Sequence, residues 1–369
     1  IAFFMVKPLF ARRARRMDPI ALNPEVEPHV YQLVHDVCAA VGAPAPLRIQ
    51  LDCDLNASAS FDRGWRGMLG HKLVLTLGMP LLAGLTQREL AGVIAHEFGH
   101  FRQGAGMRLS FVIRRINFWF VRVIYQRDSW DAALANAGGG QFGWWEFMLG
   151  CARLGVWFSR RVLWCLMMLG HTICAFLMRQ MEYDADRCEI RLAGSAAFES
   201  TAMKFATLGS VMSDLNLEMR RNWRKHFQLP DNLPVLVEYR ALHMPADKRE
   251  KIEGKIGLEK TRLLDTHPSA ADRIRQARRL AEAGYDISDA PVRDLFENFD
   301  TICRLVTLAH YEDDLNVPTT ADFLIPVEQL VRAKRETPAR EPPPQQNLPA
   351  MQFDTGAIPE GQQPSDSTQ

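Results

Sequence analysis

His96-Glu97-Phe98-Gly99-His100 sets two histidines four residues apart, with a carboxylate next to the first. In a helix that spacing stacks the imidazoles one turn apart on one face, where both can reach a single tetrahedral zinc ion. Glu97 can take a proton from a zinc-bound water, whose pKa the metal lowers to about 7. The alternative is a helix of ordinary packed or exposed histidines. The surroundings favour the zinc reading: Thr86-Gln87-Arg88-Glu89 is a capping box, and Leu90, Val93, Ile94, Phe98 and Phe101 supply an apolar face. Gly104 and Gly106 mark the expected end of the helix.

A third ligand is available in Met181-Glu182-Tyr183-Asp184-Ala185-Asp186, which reads as the start of a further helix ending near Gly194. Glu182 and Asp186, four apart, share a face. Glu182 can be the third ligand, leaving the fourth position to water, and Asp186 can accept the free N–H of a ligand imidazole. Alone the pair is a solvated acidic face; beside His96 and His100 it gains a purpose. Thr266-His267-Pro268-Ser269 opens a helix that runs through Arg273, Ile274 and Leu280. His267, held in front of a proline-started helix, could hydrogen-bond a developing oxyanion; the other reading is a surface histidine.

Several elements must position these groups. Residues 29 to 41 have helical spacing closed by Gly42. Leu47 to Asp52 alternates like a strand, Asn56 to Phe61 is a small-residue extended segment, and Lys72 to Leu77 is a β-rich run. They predict a small sheet leading into the zinc helix. An edge strand beside the metal could bind an extended peptide by main-chain pairing. Helices are also predicted over 196 to 226, 291 to 312 and 325 to 335, with a mixed-charge segment from 246 to 264.

Composition narrows the class. A 369-residue chain that is 47% hydrophobic is globular or membrane-associated. The net charge of +1 points to no acidic partner, and no motif or basic stripe supports nucleic-acid binding. The 7 cysteines are odd in number and include no C-x-x-C pair, so neither a disulfide framework nor a cysteine zinc site is indicated, and a reducing compartment fits. Ile1 in place of Met suggests a piece of something longer. Residues 1 to 18 then read as the end of an upstream membrane helix followed by the cluster Arg12, Arg13, Arg15 and Arg16, or as a disordered basic leader.

Between the zinc helix and Glu182 lies an apolar insertion, residues 107 to 178. Its first part, 107 to 125, carries Arg108, Arg115 and Arg122 on one stripe. Three central arginines would cost about 7 to 10 kcal/mol in a bilayer, so this part reads as a basic amphipathic helix on a membrane surface, or as a water-soluble one. Gly138-Gly139-Gly140 breaks the chain. A second apolar stretch, 144 to 158, is interrupted by Ser159-Arg160-Arg161, and Val162 to Met178 follows without a charge, at the lower limit for a span. His171 within it reads as a packed or hydrogen-bonded residue. Because the third ligand must return to the starting side, crossings number zero or two: a hairpin, or a pair of helices in one leaflet. The tail from 336 to 369 lacks any core-forming period and is expected to be disordered.

Four motifs in order, over about residues 20 to 285, resemble the M48 family of membrane-associated zinc metallopeptidases, the group of the HtpX heat-shock protease and the CAAX-prenyl proteases. Leu55-Asn56-Ala57 is similar to its Asn-Ala element. His96 to His100 is similar to its zinc helix, Glu182 to Asp186 to its E-x-x-x-D helix, and Thr266-His267-Pro268 with Arg273 to its T-H-P segment and arginine. The resemblance implies an α+β, mainly α-helical, zincin-like (gluzincin) catalytic domain over 19 to 290, with a small β-sheet and membrane-associated helices. It implies one Zn2+ per chain on His96, His100 and Glu182, with Glu97 as general base. Asp186 and Arg273 would support the ligands, Asn56 and Ala57 would contact substrate, and His267 would contact substrate or oxyanion. Residues 291 to 335 form a helical extension without a counterpart. The expected activity is endopeptidase cleavage of protein or peptide substrates in membrane protein quality control, with the catalytic domain on the cytoplasmic side of a bacterial inner membrane. The alternatives are a CAAX-type processing peptidase, and a membrane scaffold or chaperone-like protein with little cleavage. Arginines through the first apolar segment depart from a simple two-span hairpin.

Overall fold

The computed structural model describes residues 19–62, 73–102, 144–314 and 323–336. The basic segment before residue 19, the amphipathic stretch of 107 to 125, the glycine run at 138 to 140 and the tail after 336 lie outside the described residues.

The architecture is mainly helical with a small mixed sheet. Strand β1 (Ile20–Ala21) is followed by α1 (Pro28–Val41), β2 (Arg48–Asp52), β3 (Ala57–Phe61) and β4 (Leu73–Gly78). The strand order is β1-β2-β4-β3; β4 runs parallel to β2 and antiparallel to β3, with Ala59 opposite Leu75. Five of the six β4 residues are buried, as a central strand demands, whereas β3 is an edge. Helix α1 closes as its sequence predicts: Gly42 takes the left-handed conformation and its N–H returns to the carbonyls of Cys38 and Ala39.

A short α2 (Met79–Gly84) leads into α3 (Gln87–Arg102). The capping box at its start forms. Glu89 N–H donates to Thr86 Oγ1 at 3.3 Å, and Thr86 N–H donates to Glu89 Oε2 at 2.8 Å. The Glu89 carboxylate also accepts from Ser200 Oγ and Lys204 Nζ, both at 2.7 Å, so it ties the head of α3 to the helix that carries those two residues.

The expected interruption at Ser159-Arg160-Arg161 and the expected helix start near Met181 are replaced by one helix, α4 (Trp144–Ala193), of 50 residues. No proline lies within it, and Arg160 and Arg161 are good helix formers, with the Arg161 guanidinium lying over the Trp157 and Trp164 rings, so the charges do not break the helix. At 1.5 Å per residue it is about 75 Å long. It contains the one described helix long and apolar enough to cross a membrane. Its apolar residues between 144 and 177 stand largely exposed, while its last turns are buried against α3.

Gly194 turns the chain into α5 (Ser195–His226), followed by β5 (Leu229–Pro230), α6 (Leu233–Leu242), α7 (Ala246–Leu258) and α8 (Ala270–Leu280). Helix α8 begins after Ser269 rather than at Pro268: the Ser269 hydroxyl accepts from Asp272 N–H and caps the helix. A 3-10 turn (Val292–Leu295), α9 (Phe299–Asp314), β6 (Leu324–Ile325) and α10 (Val327–Glu336) complete the described chain. Cys303, Val306, Tyr311 and Val327 join the same hydrophobic core as the sheet, α1 and α3. A smaller cluster of Ile190, Phe198, Ile256, Ile274 and Ala277 lies beside the site.

Candidate metal centre

The histidine helix and the carboxylate helix meet because α3 presents glycine where α4 crosses it. A Cβ built on Gly99 would stand 3.2 Å from Ala185 Cα and 3.3 Å from Cys188 Sγ. One built on Gly92 would stand 2.9 Å from Ala193 Cβ. The two glycines are seven apart, on one α3 face, and let the helices approach at backbone distance. Gly99 thus belongs to the site as much as its flanking histidines do.

At this crossing His96 Nε2 lies 3.6 Å from Glu182 Oε2, and His100 Nε2 lies 4.0 Å from Glu182 Oε1. The three donor atoms all fall within 4.8 Å of one another. A tetrahedral zinc ion with bonds of about 2.0 to 2.1 Å needs donors about 3.3 Å apart. The two imidazole–carboxylate distances exceed that by about 0.3 and 0.7 Å, so the set would draw together on zinc, and its two imidazoles and one carboxylate suit that metal chemically.

Asp186 and Glu189 surround the other side of His96. Its Nδ1 is 3.1 Å from Asp186 Oδ1 and 3.5 Å from Glu189 Oε2, without a well-aligned hydrogen bond to either. Arg273 holds Asp186 in a fork, with Nε at 2.9 Å from Oδ2 and Nη2 at 2.5 Å from Oδ1. His96, Asp186 and Glu189 are a second close donor set. Asp186 is already paired with the guanidinium, which makes this set a support for His96 rather than a rival metal position.

The charges are strongly coupled. Burial opposes protonation of His96, but the Asp186 and Glu182 carboxylates outweigh it and raise its pKa to about 10. Burial, with the His96 charge one turn away, lowers His100 to about 4. Burial works against ionised Glu182 as well, yet hydrogen bonds from His267 and His96 hold its pKa below the usual carboxylate range. Burial raises Glu189 to about 7 and also raises Glu97. In the metal-free arrangement the negative Glu182 is thus matched by a protonated His96, and a divalent cation bound here would replace that proton.

Glu97 Oε2 accepts from the Ala59 N–H of edge strand β3 at 3.3 Å. Asn56, Ala57, His96, Glu97 and Arg273 line one cavity of about 520 Å³, whose apolar wall includes Val93, Phe198, Phe205 and Ile256. His267 comes in from the opposite side, with Nδ1 3.0 Å from Glu182 Oε1 and a side chain 61% exposed. Every residue singled out from the sequence is therefore brought to this one place: His96, Glu97, His100, Glu182, Asp186, His267 and Arg273 by contact, Asn56 and Ala57 through the cavity wall. Glu189 was not singled out. Its signal was the spacing 182, 186, 189, which keeps it on the Glu182 face of one helix.

Residues 24–281 match peptidase family M48. Two relatives, each called "Protease HtpX homolog", from Bordetella pertussis and Bordetella parapertussis, are 27% identical over 218 residues, covering 57% of this chain and 67% of theirs. No solved structure matches.

Proposed function

This chain belongs to peptidase family M48, and from that premise we propose that it is a membrane-associated, zinc-dependent endopeptidase with a zincin-like catalytic unit. The observation that carries the reading is the convergence of His96, His100 and Glu182 within 4.8 Å, with Glu97 alongside. In this reading the peptidase unit covers 19 to 290, with a membrane-associated insertion at 107 to 178 and a helical extension at 291 to 335. Its substrates are proteins or peptides, including membrane proteins under quality control.

His96 Nε2, His100 Nε2 and Glu182 would hold the zinc. When bound, the metal would polarise a scissile carbonyl and acidify a water molecule. Asp186, fixed by Arg273, orients the His96 ring so that Nε2 faces Glu182. An extended peptide pairs with edge strand β3, taking over the Ala59 N–H that donates to Glu97 in the free protein. Glu97, whose basicity rises with burial, takes the proton of the attacking water and returns it to the leaving amine. His267 donates to the oxygen of the tetrahedral centre, a contact that for a single donor is commonly worth about 2.7 to 4 kcal/mol.

The test is metal content and proteolysis measured together on the parent and Glu97→Gln proteins. Both are expected to retain zinc, while cleavage of a casein-type substrate falls by about 10² to 10⁴ in the variant. A Glu97→Gln protein that cuts as fast as the parent would remove Glu97 from the mechanism.

A further inference from the structure

The loop that delivers His267 to Glu182 has a second character. Between α7 and α8 the chain makes a turn, closed by Asp265 N–H donating to the Arg262 carbonyl at 3.2 Å, and the turn tip is Leu263-Leu264. Tips of turns in water favour glycine, proline, asparagine, aspartate or serine. Here two leucines occupy the tip, 68% and 39% exposed.

The carbonyls of the same turn are treated in the opposite way. Three successive carbonyls are satisfied by side chains of α4: Leu263 by Arg179 Nη1 at 3.1 Å, Leu264 by His171 Nε2 at 3.2 Å, and Asp265 by Arg179 Nη1 at 2.6 Å. The N–H groups of Arg262 and Thr261 donate to the carboxylates of Asp265 and Asp272. Irregular backbone at membrane depth is tolerated only where protein or a water-filled cavity serves its polar groups, and these three carbonyls meet that condition.

Position along α4 supplies the depth. His171 is seven residues, about 10 Å, inside the apolar run that ends at Met178. The helix surface at that level is apolar and open: Ile173 is 54% and Phe176 55% exposed. Lys260 and Arg262, both exposed, flank the leucines on stems long enough to reach lipid headgroups.

We propose that the Arg262–Asp265 turn is seated in the lipid bilayer beside α4, and that this seating fixes His267 over Glu182. His171 and Arg179 are then positioning residues: they serve the carbonyls of a lipid-embedded turn whose next residues carry His267 to the site. The proposal rests on α4 being a membrane helix.

The full chain, purified and reconstituted into vesicles of phosphatidylcholine with an equal part of phosphatidylglycerol, decides it. A fluorescent amino acid is incorporated in place of Leu263 and, in a second protein, in place of Ile173, and emission is compared with and without phosphatidylcholine brominated on its acyl chains. Quenching at both positions is expected. Quenching at 173 but not at 263 overturns the lipid-seated turn and leaves the membrane helix standing. Quenching at neither overturns both. For the second half of the proposal, Leu263→Ser/Leu264→Ser in the same vesicles is expected to lower kcat about tenfold at unchanged KM, less than the 10² to 10³ that loss of a whole oxyanion donor costs. A parental kcat would overturn the link between seating and His267.

Discussion

The two ends of α4 invert each other. From 154 to 177 the helix turns Leu154, Trp157, Phe158, Leu166, Leu169, Ile173 and Phe176 outward, while from 186 to 190 it turns Asp186 and Glu189 inward, where they are 1% and 4% exposed. Exposed apolar surface in water costs about 25 cal/mol per Å², and a buried carboxylate costs several kcal/mol unless paired. Neither end is stable by itself, and each is completed by something outside the helix. For the inner end those groups are His96 and Arg273; for the outer end the proposed completion is lipid.

Altering the inner end has the largest expected effect. Glu182→Ala takes away the one proposed ligand contributed by α4. Bound zinc should fall from about one per chain to near none, and cleavage should be undetectable beside the parent, both read on the same preparation. A variant that kept its zinc would show that α4 does not supply the ligand. Next comes Asp186→Asn, which leaves the Arg273 guanidinium without its buried carboxylate. A loss of about 3 kcal/mol is expected in denaturant unfolding of the metal-free protein, with zinc affinity down about 10-fold to 100-fold.

The outer end is challenged by Ile173→Arg. Zinc content should be unchanged, since residue 173 is far along the helix from the site, while partition into membranes weakens by about 2.5 to 3.5 kcal/mol, measured by flotation with vesicles. Loss of zinc in this variant would show the two ends to be coupled more tightly than their separation suggests.

The last test is the pH dependence of the metal-free protein. His100, lowered to about 4, binds its proton less well folded than unfolded, so stability falls as pH drops from about 6.5 toward 4. His96, raised to about 10, binds its proton better folded, so its contribution is complete below about 6.5 and is lost as pH rises toward 10. Chelated protein should therefore unfold at the highest urea concentration between these limits, and His100→Gln should flatten the acid limb alone. Stability that kept rising from pH 7 to 10 would contradict the ion pairing of His96.

Much of this was legible because it is local. The Thr86 to Glu89 capping box, the glycine that ends α1, the alternation of β2 and the histidine pair are all short-range patterns, and each forms as read. Ser159-Arg160-Arg161 misled because charge in an apolar run reads as an interruption, although nothing in those side chains breaks a helix. Glu189 was passed over because a lone carboxylate on a helix is usually solvated, and its burial depends on α3 lying across it. Cys303, Val306 and Tyr311 gave no hint that the C-terminal helices share the core of the sheet, since a helical period names a buried face but not its partner.

By itself the sequence determined which residues are candidates for the chemistry and which lie on a common face, since helical spacing is a property of a few consecutive residues. Tertiary structure alone decided that α4 crosses α3 at Gly92 and Gly99, that Arg273 forks onto Asp186, and that the loop before α8 leans along α4 to bring His267 to Glu182. Those contacts join residues 80 or more positions apart, and the packing that selects them is a property of the whole core.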